Sequence, residues 1–473
     1  DDSRVLFPEY SSGEVPRMFS SLEYKKQDGK TKVVAATHLA GSTLGAAALV
    51  TGTTVGAGVL ALPTATAAAG FLPSSAALAV AWWYMAMSGL LIAELSINRM
   101  GNTGRPGQGI LELYKNGLGS DNLSNIGSAA YFFLHYAIMV AYIAQGGANF
   151  DAFLEGTGGI GESLATVPGI GQILFAAGCG SAIYFGKPSV VEKANNVLVA
   201  GVMATFIGVT AIGAQSCDFE ALINPINQHP EEVVNAFPIL FLSMVYQNVV
   251  PTVVNTLEGD RHKITTAIIA GTTMPFLMFL AWNGVILGNV MGTDAFSAAA
   301  EASNGDFNPV ALLQSGENGG PLLSSLVGIF SELALITSLT GFVYGLLDAL
   351  TDVTGLPSKG PEFEKWKPAL FAGVLVPPLA LSLGNPDIFY NALDYGGAFG
   401  VSTLFLVLPP LMVWKERYGD EQKPIMTKPM VPLGKLSLGS MWKAAGTLIF
   451  EQGAEKLGVF DFIQDTLLES LKL

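Results

Sequence analysis

From about residue 44 to about residue 414 the chain repeats one pattern: some 20 apolar positions, a short polar interval, then another apolar run. Each run is long enough to cross the roughly 30 Å of hydrocarbon in a bilayer as a helix. Ten are read from hydropathy and helix breakers, at about 44–68, 71–97, 124–147, 168–186, 195–216, 235–257, 264–289, 322–350, 367–384 and 387–414. They are numbered spans 1 to 10. A further segment, 441–464, carries Lys443, Glu451, Glu455 and Lys456, and reads equally as an eleventh span or as an amphipathic helix along the membrane surface.

Composition agrees with this pattern: half of the 473 residues are hydrophobic, 13% are charged and the mean hydropathy is +0.45. The fold class is an all-α polytopic membrane protein. Charge then tests the topology. With ten spans, the basic residues of the 1–40 segment fall on the same face as Arg99, Arg105, Lys115, Lys187, Lys193, Arg261, Lys263, Lys359, Lys365, Lys367, Lys415 and Arg417. The opposite intervals, 148–167, 217–234, 290–321 and 385–386, contain no Lys or Arg, and hold Asp151, Glu155, Asp218, Glu220, Glu231 and Glu232 among other acids. The positive-inside rule therefore puts the N-terminus on the cytosolic or stromal side. The net charge of −14 belongs to one face, and a nucleic-acid partner has no support.

Four regions follow: a polar tail over 1–40, five spans over 41–218, five more over 219–418, and a C-terminal segment over 419–473. Five is odd, so span 1 and span 6 run in opposite directions and the two halves are inverted. Cys179 lies inside span 4, about eleven residues or on the order of 16 Å from its far mouth, while Cys217 lies at the far end of span 5; a disulfide is not expected.

Span 1 is a poor helix where a good one is expected. Its stretch "TGTTVGAG" holds Thr51, Gly52, Thr53, Thr54, Gly56 and Gly58, and unwound backbone in a membrane is tolerated only inside protein or against a water-filled cavity. Freed N–H groups at the start of the second half-helix suit a carboxylate, and freed carbonyls at the end of the first suit an ammonium group or a cation. A zwitterion satisfies both. The competing reading is that small residues let helices pack closely. Span 6 has its own interruption: Tyr246, Gln247 and Asn248 in mid-membrane, followed by Pro251. Pro63-Thr64 of "GVLALPTAT" aligns with Pro251-Thr252 of "YQNVVPTVV", at corresponding places in the two halves. Paired interruptions of this kind mark the central site of a secondary transporter.

The strings "GTTVGAGVLALP", "SMVYQNVVPTVV", "ELALITSLTGFVYGLLD" and "NALDYGGAFGVSTLFLVLPPLMVWKERYG" resemble the hydroxy and aromatic amino acid permeases, over about residues 40–418 and most of all the version carried by plants and algae. The resemblance implies the amino acid/polyamine/organocation superfamily, a LeuT-like five-plus-five inverted repeat, proton-coupled symport of tyrosine or tryptophan, and a plastid membrane reached by way of a removed transit segment. One departure stands out. Bacterial members commonly have histidine in a "GYHN"-like string of the span 6 break, where this chain has Gln247 in "VYQN"; glutamine takes up no proton near neutral pH, which puts coupling at that position in doubt.

The breaks and the resemblance together place the substrate's backbone groups against Gly56, Ala57 and Gly58 and against Tyr246, Gln247 and Asn248. Span 3 lines the site in LeuT-like folds, which makes Tyr142 and Gln145, on one helical face, candidates for the substrate ring. On span 8, Thr337 and Ser338 hold the place of a sodium site in sodium-coupled relatives; binding sodium, holding water and bonding back to the helix all stay open. Ionisable groups within spans are functional candidates by default: Glu332, Asp394 and His135 for the proton, with a bonded core histidine as the alternative for His135. Glu94 and Asp348, near the basic face, are expected to pair with basic groups as a gate or anchor.

No metal or cofactor is called for, and an enzyme is not expected: the chain has no HExxH string or nucleotide-binding loop, and four histidines in all. Beside the aromatic amino acid carrier stand two alternatives, a carrier of another neutral amino acid and a transporter-like subunit of a larger membrane complex.

Overall fold

The computed structural model describes residues 22–27, 30–35, 41–56, 58–103, 109–118, 121–302, 308–315, 320–357, 359–419 and 424–456. In hydrocarbon a helix is the one open structure that satisfies its own backbone, and the apolar runs are helical apart from breaks in spans 1 and 6. Eight segments are long and apolar enough to cross a membrane: Phe71–Thr103, Asn122–Thr157, Pro188–Ser216, Pro225–Thr256, Arg261–Val290, Gly320–Thr354, Pro361–Gly384 and Phe389–Tyr418. Thr43–Thr54 and Gly58–Ala67 make a ninth, bent by 57° at a break, and Ile170–Phe185 is a shorter apolar helix at the place of span 4. The protein is a multi-pass integral membrane protein, and all ten apolar runs fall on helix.

Polar caps open several of these helices. Ser42 accepts from the Gly45 N–H at 2.9 Å, and Asp260 accepts from the His262 and Lys263 N–H groups at 3.0 and 3.1 Å. Within the polar tail, Leu22–Gln27 and Lys30–Ala35 form an antiparallel ladder, which the sequence reading of a plain tail does not include.

Close helix approach is arranged by small residues. A Cβ on Gly271 of span 7 would fall 2.7 Å from Val50 Cβ and 2.8 Å from the Ala47 carbonyl. Span 1 also donates from Thr51 Oγ1 to the Gly271 carbonyl at 2.9 Å. Span 10 is π-helical over Gly396–Val407. There a Cβ on Gly397 would lie 2.2 Å from the Pro238 carbonyl of span 6, and one on Gly400 2.8 Å from Leu134 Cβ of span 3. In the core, Trp282 of span 7 and Phe330 of span 8 pack with ring centroids 4.6 Å apart.

The C-terminal helix Lys435–Lys456 runs antiparallel to span 10. At one end Lys435 Nζ sits 4.8 Å from the Tyr418 ring, and at the other Lys456 pairs with Asp394. Between them the Tyr84 hydroxyl lies within hydrogen-bond reach of the Leu406 and Met441 carbonyls, at 3.0 and 2.8 Å, and shares its one proton between them. Asp394 and Tyr418 are 24 positions apart, on the order of 30 Å of helix, so this segment lies beside span 10 end to end.

The segment from Pro424 to Met430 lies across the basic end of the bundle. Residues 94, 98 and 102 share one face of span 2 at four-residue spacing. Asn102 Nδ2 donates to the Pro424 carbonyl at 3.1 Å. Asn98 Oδ1 accepts from the Met426 and Thr427 N–H groups at 2.8 and 3.1 Å. Glu94 accepts from the Met430 N–H at 2.8 Å, and Arg261 donates to the Pro429 carbonyl at 3.0 Å.

Candidate functional site

The first half-helix of span 1 ends with the Val55 N–H bonded to the Thr51 carbonyl at 2.9 Å, and the Val59 N–H reaches back only to the Gly56 carbonyl at 3.2 Å. Among the described residues, the carbonyls of Gly52 and Thr54 and the N–H groups of Gly58, Val59 and Leu60 are thus without i→i−4 partners. The glycines of this stretch have unlike surroundings, and a Cβ on Gly58 would lie 3.4 Å from Ser243 Cα of span 6. A Cβ on Gly52 would meet nothing within 4 Å, and one on Gly56 would lie 3.1 Å from Ser338 Oγ and 4.0 Å from Tyr142 Oη. Gly56 is therefore where spans 1, 3 and 8 converge. Ala57 lies outside the described residues.

Span 6 stops at Ser243 and resumes at Val250, with a short 3₁₀ turn over Gln247–Val249 between. Its end touches the start of the second half of span 1: Ser243 Oγ donates to the Gly58 carbonyl at 3.2 Å. Tyr246 and Gln247 turn away from this meeting point, both fully buried. The Tyr246 hydroxyl and Gln247 Nε2 donate to one carbonyl of span 2, Met85, at 3.0 and 3.3 Å, and Gln247 Oε1 accepts from the Tyr246 N–H at 2.9 Å. Gly89 makes this possible, since a Cβ there would fall 1.9 Å from Tyr246 Oη.

A cavity of about 550 Å³ opens where the two breaks meet. Gly52 to Gly56 and Gly58 of span 1 line it, with Ser243, Asn248 and Val249 of span 6. Span 3 adds Tyr131, Leu134, His135, Ile138 and Tyr142, one face at helical spacing, and span 8 adds Thr337, Ser338, Gly341, Phe342, Gly345, Asp348 and Asp352. Thr337 to Asp352 is 15 residues, about 22 Å of helix, so the cavity runs from mid-membrane to the face that carries Lys and Arg. Towards the opposite face the way is filled by Gly58–Ala67, nearly all buried, with Thr66 Oγ1 donating to Asn283 Oδ1 at 2.9 Å. Asn248 Oδ1 is buried at the cavity wall, with no hydrogen-bond partner among the described residues.

Of the residues singled out from sequence, Gly56, Gly58, Tyr142, Asn248, Thr337, Ser338 and His135 meet at this cavity. Thr337 bonds back to its own helix, at 2.9 Å to the Leu333 carbonyl and 3.1 Å to that of Ala334. Gln145, Tyr246, Gln247, Glu332 and Asp394 stand outside its lining. Gln145 Nε2 donates to Asn149 Oδ1 at 3.0 Å, and Asn149 Nδ2 donates in turn to Glu332 Oε2 at 3.1 Å, a polar chain between spans 3 and 8. Asp394 is held by Lys456 of the C-terminal helix. Glu94 is paired with Arg417 of span 10, whereas Asp348 lies at the cavity's basic end.

Sequence reasoning passed over Tyr131, Phe342 and Ser243. Tyr131 is one turn from His135 and stacks on it at 3.8 Å; Phe342 is one turn from Ser338 and meets His135 at 5.1 Å and Tyr142 at 5.7 Å, edge to face. The helical period carried that signal for Tyr131 and Phe342, since each shares a face with a residue already singled out.

The sequence profile of the tryptophan/tyrosine permease family matches residues 40–435. A tyrosine-specific transport system 1 of Haemophilus influenzae is 28% identical over 383 residues, covering 81% of this chain and 90% of that protein. A tryptophan-specific transport protein of the same organism is 26% identical over 381 residues, 79% of this chain and 87% of that one. Another of that description, from Shigella flexneri, is 26% identical over 408 residues, covering 85% and 94%.

Proposed function

The chain belongs to the tryptophan/tyrosine permease family, and from that premise we propose that it carries tyrosine or tryptophan across its membrane by secondary active transport. The relatives named above are tyrosine- and tryptophan-specific, which supports the substrate class. The observation that carries the mechanism is the meeting of two interrupted spans, 1 and 6, at one cavity of about 550 Å³.

In this reading the substrate's carboxylate takes the freed N–H groups at the start of Gly58–Ala67, and its ammonium takes the carbonyls of Gly52 and Thr54. Asn248 adds an acceptor for the ammonium at its buried Oδ1. Tyr246 and Gln247 act one layer back, holding the span 6 break on span 2. The fold is a LeuT-like five-plus-five inverted repeat that works by alternating access, and the one-sided cavity is its opening to the basic face. The driving ion is a proton rather than sodium, with Glu332 as the group to carry it. Lys435–Lys456 is an eleventh crossing, which its course beside span 10 supports. Placement in a plastid rests on the resemblance alone.

The test is uptake of labelled tyrosine and tryptophan by proteoliposomes, with and without an imposed proton gradient, in sodium and in potassium. Gradient-driven accumulation that is independent of sodium is the expected result. Folded protein that accumulates neither amino acid under any gradient would sink the proposal.

A further inference from the structure

A histidine in the cavity wall takes no part in the account above. His135 is 2% exposed, and its Nδ1 lies 2.8 Å from the Tyr131 carbonyl. A carbonyl only accepts, so Nδ1 carries the proton and the neutral ring presents Nε2 as an acceptor. Among the described residues Nε2 has no bond of its own. The ring is fixed as well as oriented, stacked on Tyr131 and edge-on to Phe342.

The space in front of it is kept clear. A Cβ on Gly345 would come within 3.6 Å of His135 Nε2 and of Tyr131 Oη, and one on Gly341, a turn away on span 8, would meet nothing within 4 Å. Two missing side chains on span 8 thus leave a slot against span 3, walled by Tyr131, His135, Phe342 and Tyr142. From Gly56 and Tyr142 to His135 is seven residues of span 3, roughly 10 Å, so a substrate held by its backbone groups at the breaks can extend its side chain along this slot.

We infer that His135 selects the substrate's ring, accepting a hydrogen bond from an O–H or N–H group on its rim. A phenol and an indole each have such a donor, and a bare phenyl ring does not. An acceptor that the bound ring covers loses its access to water, and so disfavours the analogue that lacks the donor. The inference rests on the proposal that the chain carries aromatic amino acids, held by their backbone groups at the breaks; Thr337 and Ser338 have no part in it.

The experiment compares ring analogues as competitors of tyrosine uptake in proteoliposomes. Tyrosine and 4-aminophenylalanine, which carry a donor, should outcompete 4-fluorophenylalanine by about tenfold, and tryptophan should likewise outcompete its benzothiophene isostere. His135→Phe keeps an aromatic ring but removes the acceptor and should bring those ratios close to one; His135→Gln, which offers an amide oxygen, should restore part of them. If His135→Phe does not fold, His135→Leu serves in its place. Wild-type protein indifferent to the donor, or a variant without the acceptor that keeps the wild-type ratios, overturns the inference. Wild-type protein that takes up no aromatic amino acid would instead overturn the reading of function beneath it.

Discussion

Glu94 and Arg417, 323 positions apart, meet in a two-pronged ion pair: Arg417 Nε and Nη2 each lie 2.6 Å from one oxygen of the Glu94 carboxylate. Their side chains are 1% and 5% exposed, so the pair joins the basic ends of spans 2 and 10 without water. Removing one partner strands a buried charge, which costs about 3 to 5 kcal/mol. Glu94→Gln should therefore lower the thermal midpoint in detergent markedly, and Glu94→Gln with Arg417→Met should recover much of the loss. A double variant as unstable as the single one would mean that the Met430 N–H bond to Glu94 matters more than the pair.

Gly89→Ala should disable the span 6 break from a distance. The added Cβ would lie 1.9 Å from Tyr246 Oη and 2.6 Å from Cζ, so the ring must leave and take with it its bond to the Met85 carbonyl. Uptake should fall at least tenfold in protein that still purifies as a single species. Tyr246→Phe loses one hydrogen bond, about 1 kcal/mol, and leaves Gln247 on the same carbonyl; its effect should be clearly smaller. The reverse order of severity would contradict the geometry.

Thr337 faces the cavity, yet its hydroxyl is bonded back to its own helix. Thr337→Val should keep initial uptake within about twofold of wild type, and exchanging sodium for potassium should leave both proteins unchanged. A sodium-dependent rate abolished by Thr337→Val would make this hydroxyl an ion ligand.

Asp394 and Lys456 form the corresponding pair at the other end of span 10. Lys456→Met alone should reduce folded yield, and Asp394→Asn combined with it should restore it. A reporter fused after Lys456 should be accessible from the face opposite the N-terminus. Access from the N-terminal face would place Lys435–Lys456 along the membrane surface.

Hydropathy carried the helical, multi-pass character of the chain in plain view, because a bilayer forces helix on every apolar run. The interruptions were legible too, as glycine, threonine and proline where helix formers belong. What was not legible is which way a polar side chain turns. Gln247 and Asn248 are neighbours in the same break, but Gln247 folds onto the Tyr246 N–H and Met85 while Asn248 reaches the cavity wall. That choice depends on Gly89 and Met85, some 160 residues earlier. Ion pairs show the same limit: Asp394 read as a lone membrane carboxylate until Lys456, on a helix of doubtful course, was found beside it.

Asn98 and Glu94 hold the backbone of Met426, Thr427 and Met430, not their side chains. The hold of the Pro424–Met430 segment on the bundle is therefore in part a matter of chain path, intolerant of cutting. From Glu94 to Met85 is nine residues of unbroken helix, about 14 Å of stiff rod, and at its lower end sits the carbonyl that Tyr246 and Gln247 share. Tail and break are mechanically in series. Severing the chain between Tyr418 and Lys435 would soften the support of the span 6 break without touching a residue of the cavity.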